Sequence, residues 1–198
     1  MMLSELTPVP LAALPVAEFR DHLRLGTGFA DDGVQDALLE AYLRAAIAAI
    51  EGRTGKALVA RDHLLELNRW RWPDCQALPV APVRALVSLT IRDRDGGTTL
   101  VDPALYRLEA DLHRPKIVAA GTLMPSIPAG GVAEIVFTAG FGPAWSDVPE
   151  DLAQAVLLLA AQYHENRHET GVAQAMPFGV TALIERWRTV RVLGGGGR

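Results

Sequence analysis

An apolar run in the C-terminal third of the chain constrains its fold more than any other stretch. Pro149 suits the first position of a helix, and Gly171 can adopt the left-handed conformation that ends one. Residues 155–161 are apolar in every direction, so a helix here has no single outward-facing polar side and must be surrounded by protein on most sides. We therefore predict one helix over residues 149–170 that lies in a core or at an interface.

The end of this predicted helix contains a pattern typical of zinc peptidases. His164, Glu165 and His168 match H-E-x-x-H, a spacing that places two imidazoles one turn apart and lets the glutamate activate a water. The longer form of the pattern needs a third histidine ligand where this chain has Gln174. The dipole of a helix C-terminus also favours these histidines as ordinary polar or cationic residues. Because so short a pattern recurs by chance, we keep zinc catalysis as the alternative only.

A second helix is predicted in the N-terminal quarter of the chain. Asp31 or Asp32 can cap it, and it stops around Gly52 to Gly55. Its alanines, at positions 45, 46, 48 and 49, allow another helix to approach closely, and the natural partner is the helix over residues 149–170. Its apolar side chains recur every four residues, at Val34, Leu38, Tyr42, Ala46 and Ile50.

Residues 58–142 have a different character, because they are rich in Pro, Gly, Val and Thr and predict strands. Val83–Arg92 alternates most cleanly, and Asp95-Gly96 supplies a tight hairpin turn. Further strands are expected at residues 64–68, 106–110, 116–119 and 132–138. The predicted fold class is α+β: a bundle of long helices, residues 1–57 and 143–190, with a small antiparallel β unit inserted at residues 58–142. Residues 191–198, with four consecutive glycines, predict a flexible tail.

Composition argues against several classes of protein. A net charge of -4 disfavours a protein that grips nucleic acid over a broad surface. The N-terminus lacks the basic and apolar regions of a signal peptide, and no apolar run is long enough to span a membrane, so we expect a cytoplasmic protein. Cys75 is the single cysteine, which excludes an intrachain disulfide and a cysteine cluster for a structural metal. We expect no cofactor.

Charge is distributed unevenly at the C-terminus. Glu185 is the last acidic residue, and four arginines follow it, at positions 186, 188, 191 and 198. Trp187 lies among them, and Trp and Arg are typical anchors of protein interfaces. The segment is therefore a solvated end, an arm for an acidic protein surface, or a DNA-binding arm.

Several different short motifs are distributed over nearly the whole chain in a specific order and spacing. They are Leu23-Arg24-Leu25, Asp31-Asp32, residues 39–55, residues 78–83, Tyr106, residues 139–142, Val148-Pro149 and residues 163–167. In this order they resemble the head–tail connector, or adaptor, proteins of tailed bacteriophages and gene transfer agents. In that family the Tyr-x-Glu-Asn-Arg run ends a structural helix and implies no metal. His168 and the glycine-rich tail depart from the family pattern.

The resemblance implies a structural virion protein without enzymatic activity. It implies a ring of about a dozen copies that joins the portal of a head to the next head-completion (stopper) or tail component. DNA would pass through the lumen without sequence-specific binding, and the protein would be cytoplasmic during assembly and then lie in the particle neck. A DNA-binding accessory protein stays an alternative beside the zinc peptidase. The portal-binding set is expected to be Arg186, Trp187, Arg188, Val190, Arg191, Val192 and Leu193, and the subunit-interface set Tyr42, Ala45, Ala49, Tyr163 and Arg167.

Overall fold

A computed structural model describes residues 1–25, 32–166 and 176–188 of the 198-residue chain. Within these ranges the chain forms four α-helices and eight strands, besides short 3₁₀ turns. The helices are α1 (Val16–His22), α2 (Asp32–Thr54), α3 (Glu150–Glu165) and α4 (Phe178–Ile184). The strands are β1 (Met2–Glu5), β2 (Arg61–Leu67), β3 (Cys75–Ala77), β4 (Val83–Arg92), β5 (Thr98–Leu100), β6 (Tyr106–Glu109), β7 (Lys116–Ala119) and β8 (Val132–Ala139). No helix in these ranges is long and apolar enough to cross a membrane.

The strands form two antiparallel sheets. The larger has five strands in the order β1-β2-β8-β4-β5, and the smaller has three in the order β3-β7-β6. β8 is the central strand of the larger sheet. Its alternate residues Ala133, Ile135 and Phe137 lie on one face and are all fully buried. β4 pairs with both β8 and β5, and the turn at Gly96, where φ is 90°, connects β4 to β5. The predicted hairpin at this turn is therefore confirmed.

Two separate clusters of buried side chains hold the molecule together. The first contains the buried faces of α2, α3 and α4, with Leu43, Leu152 and Val180 fully buried. The second lies under the two sheets, with Leu65, Ile117 and Phe137 fully buried. We call them the helical core and the sheet core. α2 packs on α3 as predicted, and α3 is buried or half-buried along its apolar middle, which confirms that it is a core helix.

The predicted bundle of long helices is wrong. Only α2, with 23 residues, and α3, with 16, are long, whereas α1 and α4 have seven residues each. The strands build a core of their own instead of a small appendage, because β2 and β4 both pair with β8 and their buried alternating residues lie side by side on one face of the sheet. The fold is a mixed one with a sheet-rich core. The boundaries drawn at residues 57, 142 and 190 stay a prediction, although β1 joins the sheet across the first of them.

A buried ion cluster connects β1, α2 and β2. The side chain of Arg61 is 4% exposed and donates to both carboxylate oxygens of Glu51, at 2.9 and 2.6 Å, and to Glu5 at 2.7 Å. Burial alone would lower the pKa of Arg61, but its hydrogen bonds to the two glutamates outweigh burial and raise that pKa. The hydrogen bond from Arg61 likewise lowers the pKa of Glu5. The Arg61 guanidinium and the Glu5 carboxylate are therefore charged, and the hydrogen bonds of Arg61 to Glu5 and Glu51 connect the N-terminal strand to α2.

Candidate functional site

Trp187, one residue before the end of the described chain, is held inside the molecule. Trp187 follows α4 and is 7% exposed, in the helical core. Its indole Nε1 donates a hydrogen bond of 2.7 Å to Oδ2 of Asp151, in the first turn of α3. Its ring meets Phe141 edge-on, with 5.4 Å between the ring centroids. The sequence therefore attaches the end of α4 to the start of α3 through one aromatic side chain.

Two arginines flank Trp187 and stay accessible. The side chain of Arg186 is 69% exposed, although its Nε lies 2.7 Å from Oδ2 of Asp151 and its guanidinium stacks 4.7 Å from the centre of the Trp187 ring. Arg188 pairs with Glu185 at 3.0 Å on the surface. Asp151 thus accepts from both Trp187 and Arg186, at a helix N-terminus where a carboxylate is also favoured by the dipole. We call Asp151, Trp187 and Arg186 the C-terminal latch.

The latch gives Trp187 a contact within its own chain. The sequence predicts Trp187 as a contact to another protein, which stays a prediction, and the structure places its ring against Asp151 of α3 and Phe141. Arg186 and Arg188 lie at the surface beside Trp187. The other predicted portal-binding residues, Val190, Arg191, Val192 and Leu193, lie outside the described residues.

We expect Asp151→Ala to weaken the latch. The substitution removes the carboxylate that accepts the hydrogen bond of the Trp187 indole and leaves that buried N–H without this acceptor, so the free energy of unfolding should fall by about 1–3 kcal/mol. Urea unfolding monitored by tryptophan fluorescence measures the change. Glu185→Ala is the matched control, because it removes only the exposed partner of Arg188 and should leave the urea midpoint nearly unchanged. Equal midpoints for Asp151→Ala and the unmodified chain would show that the carboxylate does not hold Trp187.

The residues predicted for the subunit interface have mixed positions. Tyr42 and Tyr163 are half-buried, and the ring of Tyr42 meets that of His164 edge-on within the same chain, with centroids 5.9 Å apart. Ala49 is half-buried and Ala45 is exposed. Arg167 lies outside the described residues.

Ala45 belongs to an exposed stripe on α2 that we did not predict as a unit. Its members share small or apolar side chains at alternating spacings of three and four residues: Leu38, Ala41, Ala45, Ala48 and Gly52. This spacing places all five on one helix face. The signal was present in the sequence, but periodicity alone did not show which of the alanines face α3 and which face solvent.

The zinc-peptidase pattern receives no support from the described residues. His164 packs beside Tyr42, Glu165 is exposed, and His168 lies outside the described ranges. Within residues 1–25, 32–166 and 176–188, no three His, Cys, Asp or Glu side chains come together in a way that could hold a metal. His164 and Glu165 are the last two residues of α3, so they end a structural helix.

Comparison with known proteins identifies relatives among solved structures. No protein-family model matches the sequence, and no curated protein sequence matches it. A chain in the neck of an empty gene transfer agent (GTA) particle, computed with C6 symmetry, is 65% identical, with 98% of this chain and 99% of that one covered and a TM-score of 0.89. A chain in the virion of a native GTA particle is 64% identical, over 98% of this chain and 99% of that one, with a TM-score of 0.86.

A third match comes from a native particle. It is a chain in the neck of a native GTA particle, computed with C12 symmetry, and it is 59% identical over 98% of this chain and 99% of that one, with a TM-score of 0.85. Identity of this size over nearly both full lengths confirms the resemblance that the motifs indicated. The chain belongs to the family of head–tail connector proteins found in the necks of gene transfer agent particles.

Proposed function

We propose that this chain is a structural adaptor in the neck of a particle of the gene-transfer-agent type, where a ring of it joins the portal to the next neck or tail component around the DNA channel. The observation that carries the proposal is the 65% identity, over 98% of the chain, with a chain in the neck of a GTA particle. The mechanism is geometric: binding energy from contacts between rings positions the channel, and no chemical step takes place. The protein would be cytoplasmic until it joins the particle.

The ring is supported by symmetry and by one surface of the chain. The related necks were computed with C6 and C12 symmetry, which fits a ring of about a dozen copies. A cyclic ring requires each copy to offer two different surfaces to its neighbours. The exposed stripe on α2, which includes Ala45 and borders Tyr42 and Ala49, is proposed as one of them, because small side chains let a neighbouring element approach closely.

Portal binding is proposed for the C-terminal segment that the latch positions. Arg186 and Arg188 are exposed where the described chain ends, and Arg191 follows in the sequence, so the segment is suited to an acidic surface. Trp187 would contribute by fixing the exit point. Val190, Val192 and Leu193 would supply apolar contacts.

The composition of purified particles tests the overall function. Quantitative mass spectrometry of phage-like particles from the source cell should find this chain in copy numbers close to those of the portal. Absence of the chain from purified particles would reject the proposal.

A truncation tests the portal contact. Ending the chain after Arg188 keeps Trp187 in its latch, whereas ending it after Glu185 would remove a buried side chain and confound docking with folding. We expect the chain that ends at Arg188 to keep its thermal unfolding temperature and to lose co-sedimentation with portal-bearing heads. Undiminished co-sedimentation would show that the portal contact lies elsewhere.

A further inference from the structure

The loop between β2 and β3 displays tryptophan and arginine on the surface. Its sequence over residues 68–73 is Asn-Arg-Trp-Arg-Trp-Pro. Trp72 is 57% exposed, and Arg69 and Arg71 are exposed. Among the described residues neither arginine forms an ion pair. Trp and Arg are the residues most enriched where one protein binds another, and nothing in the described chain uses these three side chains.

Hydrogen bonds hold this loop in one conformation. The indole Nε1 of Trp70 donates to the carbonyl of Pro125 at 2.7 Å, and the N–H of Met124 donates to the carbonyl of Pro73 at 2.7 Å. The N–H of Arg71 donates at 3.0 Å to Oε1 of Gln76, a side chain that is only 4% exposed. The backbone is therefore fixed on both sides of Trp72. A surface fixed in advance loses little conformational entropy when a partner binds.

An apolar groove adjoins the loop. Residues 68–71 and Pro73 form one wall and residues 123–127 the other, around a volume of about 460 Å³. Leu123 is 64% exposed at its rim, while Trp70 and Ile127 pack against the sheet core below. A cavity of about 150 Å³ can hold a benzene ring, so this groove is large enough for a bulky apolar side chain.

We propose that residues 68–73, together with residues 123–127, bind an acidic segment that carries a bulky apolar side chain, on the neck component at the opposite side of the ring from the portal. The two unpaired guanidinium groups select carboxylates, and the groove between the walls selects the apolar side chain. We call these residues the Arg–Trp surface. The inference rests on the proposed function and assigns the second of the two ring-to-ring contacts that an adaptor needs.

Its place in the fold supports this assignment. The Arg–Trp surface is built on the sheet core, whereas Trp187 lies in the helical core. The Arg–Trp surface is thus separate from the exposed Arg186 and Arg188 that are proposed for the portal contact. A connector between two different partners requires two separate surfaces.

Duplex DNA fits this surface less well than a protein does. A duplex offers phosphates to arginines, but its bases are stacked on one another, so it presents no free ring face to Trp72 and no bulky apolar side chain to the groove. The net charge of -4 also opposes DNA binding over a broad surface. An acidic protein segment satisfies both the cationic and the apolar parts of the surface.

The test replaces the chain in particle-producing cells by two independent variants, Arg69→Glu/Arg71→Glu and Trp72→Ala. Their controls are Arg107→Glu, an exposed arginine on β6, and Leu100→Ala, which is 67% exposed in the unmodified chain. We expect purified heads to keep each variant at the unmodified copy number while the fraction of heads with tails, counted by electron microscopy, falls tenfold or more. The two controls should give the unmodified fraction of tailed heads.

Each other outcome has a defined meaning. An unchanged fraction of tailed heads would overturn the inference and leave the proposed function in place. Loss of a folded variant from the heads would also overturn it, because the surface would then bind the portal or a second copy. Weaker binding of a fluorescein-labelled DNA duplex to the Arg69→Glu/Arg71→Glu chain, with tails still attached, would make it a nucleic-acid surface. Absence of the unmodified chain from particles would instead reject the proposed function.

Discussion

Glu51→Ala is expected to lower the free energy of unfolding by about 3–5 kcal/mol. The substitution removes the carboxylate that accepts two hydrogen bonds from the buried guanidinium of Arg61, and it leaves that charge with the partly exposed Glu5 as its remaining acidic partner. It also removes the acceptor of the Leu58 N–H, which donates to Glu51 at 2.7 Å. Breaking one side of a buried ion pair costs this much because the other charge stays without full compensation. Urea unfolding of the purified chain measures the loss.

Glu40→Ala is the matched control for Glu51→Ala. Glu40 also lies on α2 and pairs with an arginine, Arg44, but both side chains are partly exposed and one turn apart. Such a pair contributes about 0.3–0.5 kcal/mol. Similar losses for the two variants would mean that burial does not strengthen the cluster.

The free energy of unfolding should also depend on pH through Glu5, whose pKa Arg61 lowers. The stabilisation that Glu5 contributes should be fully present above about pH 4.5 and should be lost as the pH falls through the lowered value.

Gly140→Ala should be nearly as damaging, with an expected loss of at least about 3 kcal/mol. Gly140 follows β8 with a φ of 137°, a conformation that L residues rarely adopt. A Cβ there would collide with the backbone N and Cα of Ala60, and these atoms cannot rotate away as a side chain could. The N–H of Gly140 also donates to the carbonyl of Pro82 at 2.9 Å, so the strand end cannot shift without losing this bond. Thermal and urea unfolding measure the effect.

Gly52→Ala is the same chemical change, but we expect it to raise the free energy of unfolding. Gly52 lies inside α2, and a Cβ at this position meets nothing within 4 Å. Alanine should stabilise the helix there by about 0.5–1 kcal/mol because it restricts the unfolded chain and favours helix. If Gly140→Ala unfolded at the same urea concentration as Gly52→Ala, the close approach of Gly140 to the backbone of Ala60 would be refuted.

The spacing of apolar residues predicted those helices and strands whose own sequence shows a clear period. β4 and β7 have the predicted bounds, and the predicted α2–α3 packing is present. Three strands were not predicted from the sequence: β1, β3 and β5. β1 and β5 are mostly exposed and β3 has only three residues, so pairing with β2, β7 and β4 defines them as strands. The bundle was wrong for a related reason: helical periodicity is visible in one segment, whereas a sheet core forms from segments far apart in sequence.

The candidate site was predictable only in part. The excess of arginine after Glu185 predicts a binding role for the C-terminal segment, and that role stays a prediction. The latch was not foreseeable, because Asp151 lies 36 residues before Trp187 and no spacing rule connects them. A tryptophan among arginines resembles an interface anchor until its partner within the fold is known. The same composition at residues 69–72 does lie on the surface, so burial rather than residue type distinguishes the two.

The C-terminal latch also limits how far the residues that follow it can extend from the molecule. Leu193 lies five residues after Arg188, and a fully extended chain spans at most about 3.3–3.6 Å per residue, so its Cα lies within about 18 Å of that of Arg188. The residues that follow Leu193, at positions 194–197, are glycines without side chains. A photo-cross-linking side chain at position 193 should therefore capture only groups within that distance of Arg188, increased by the length of the cross-linking side chain.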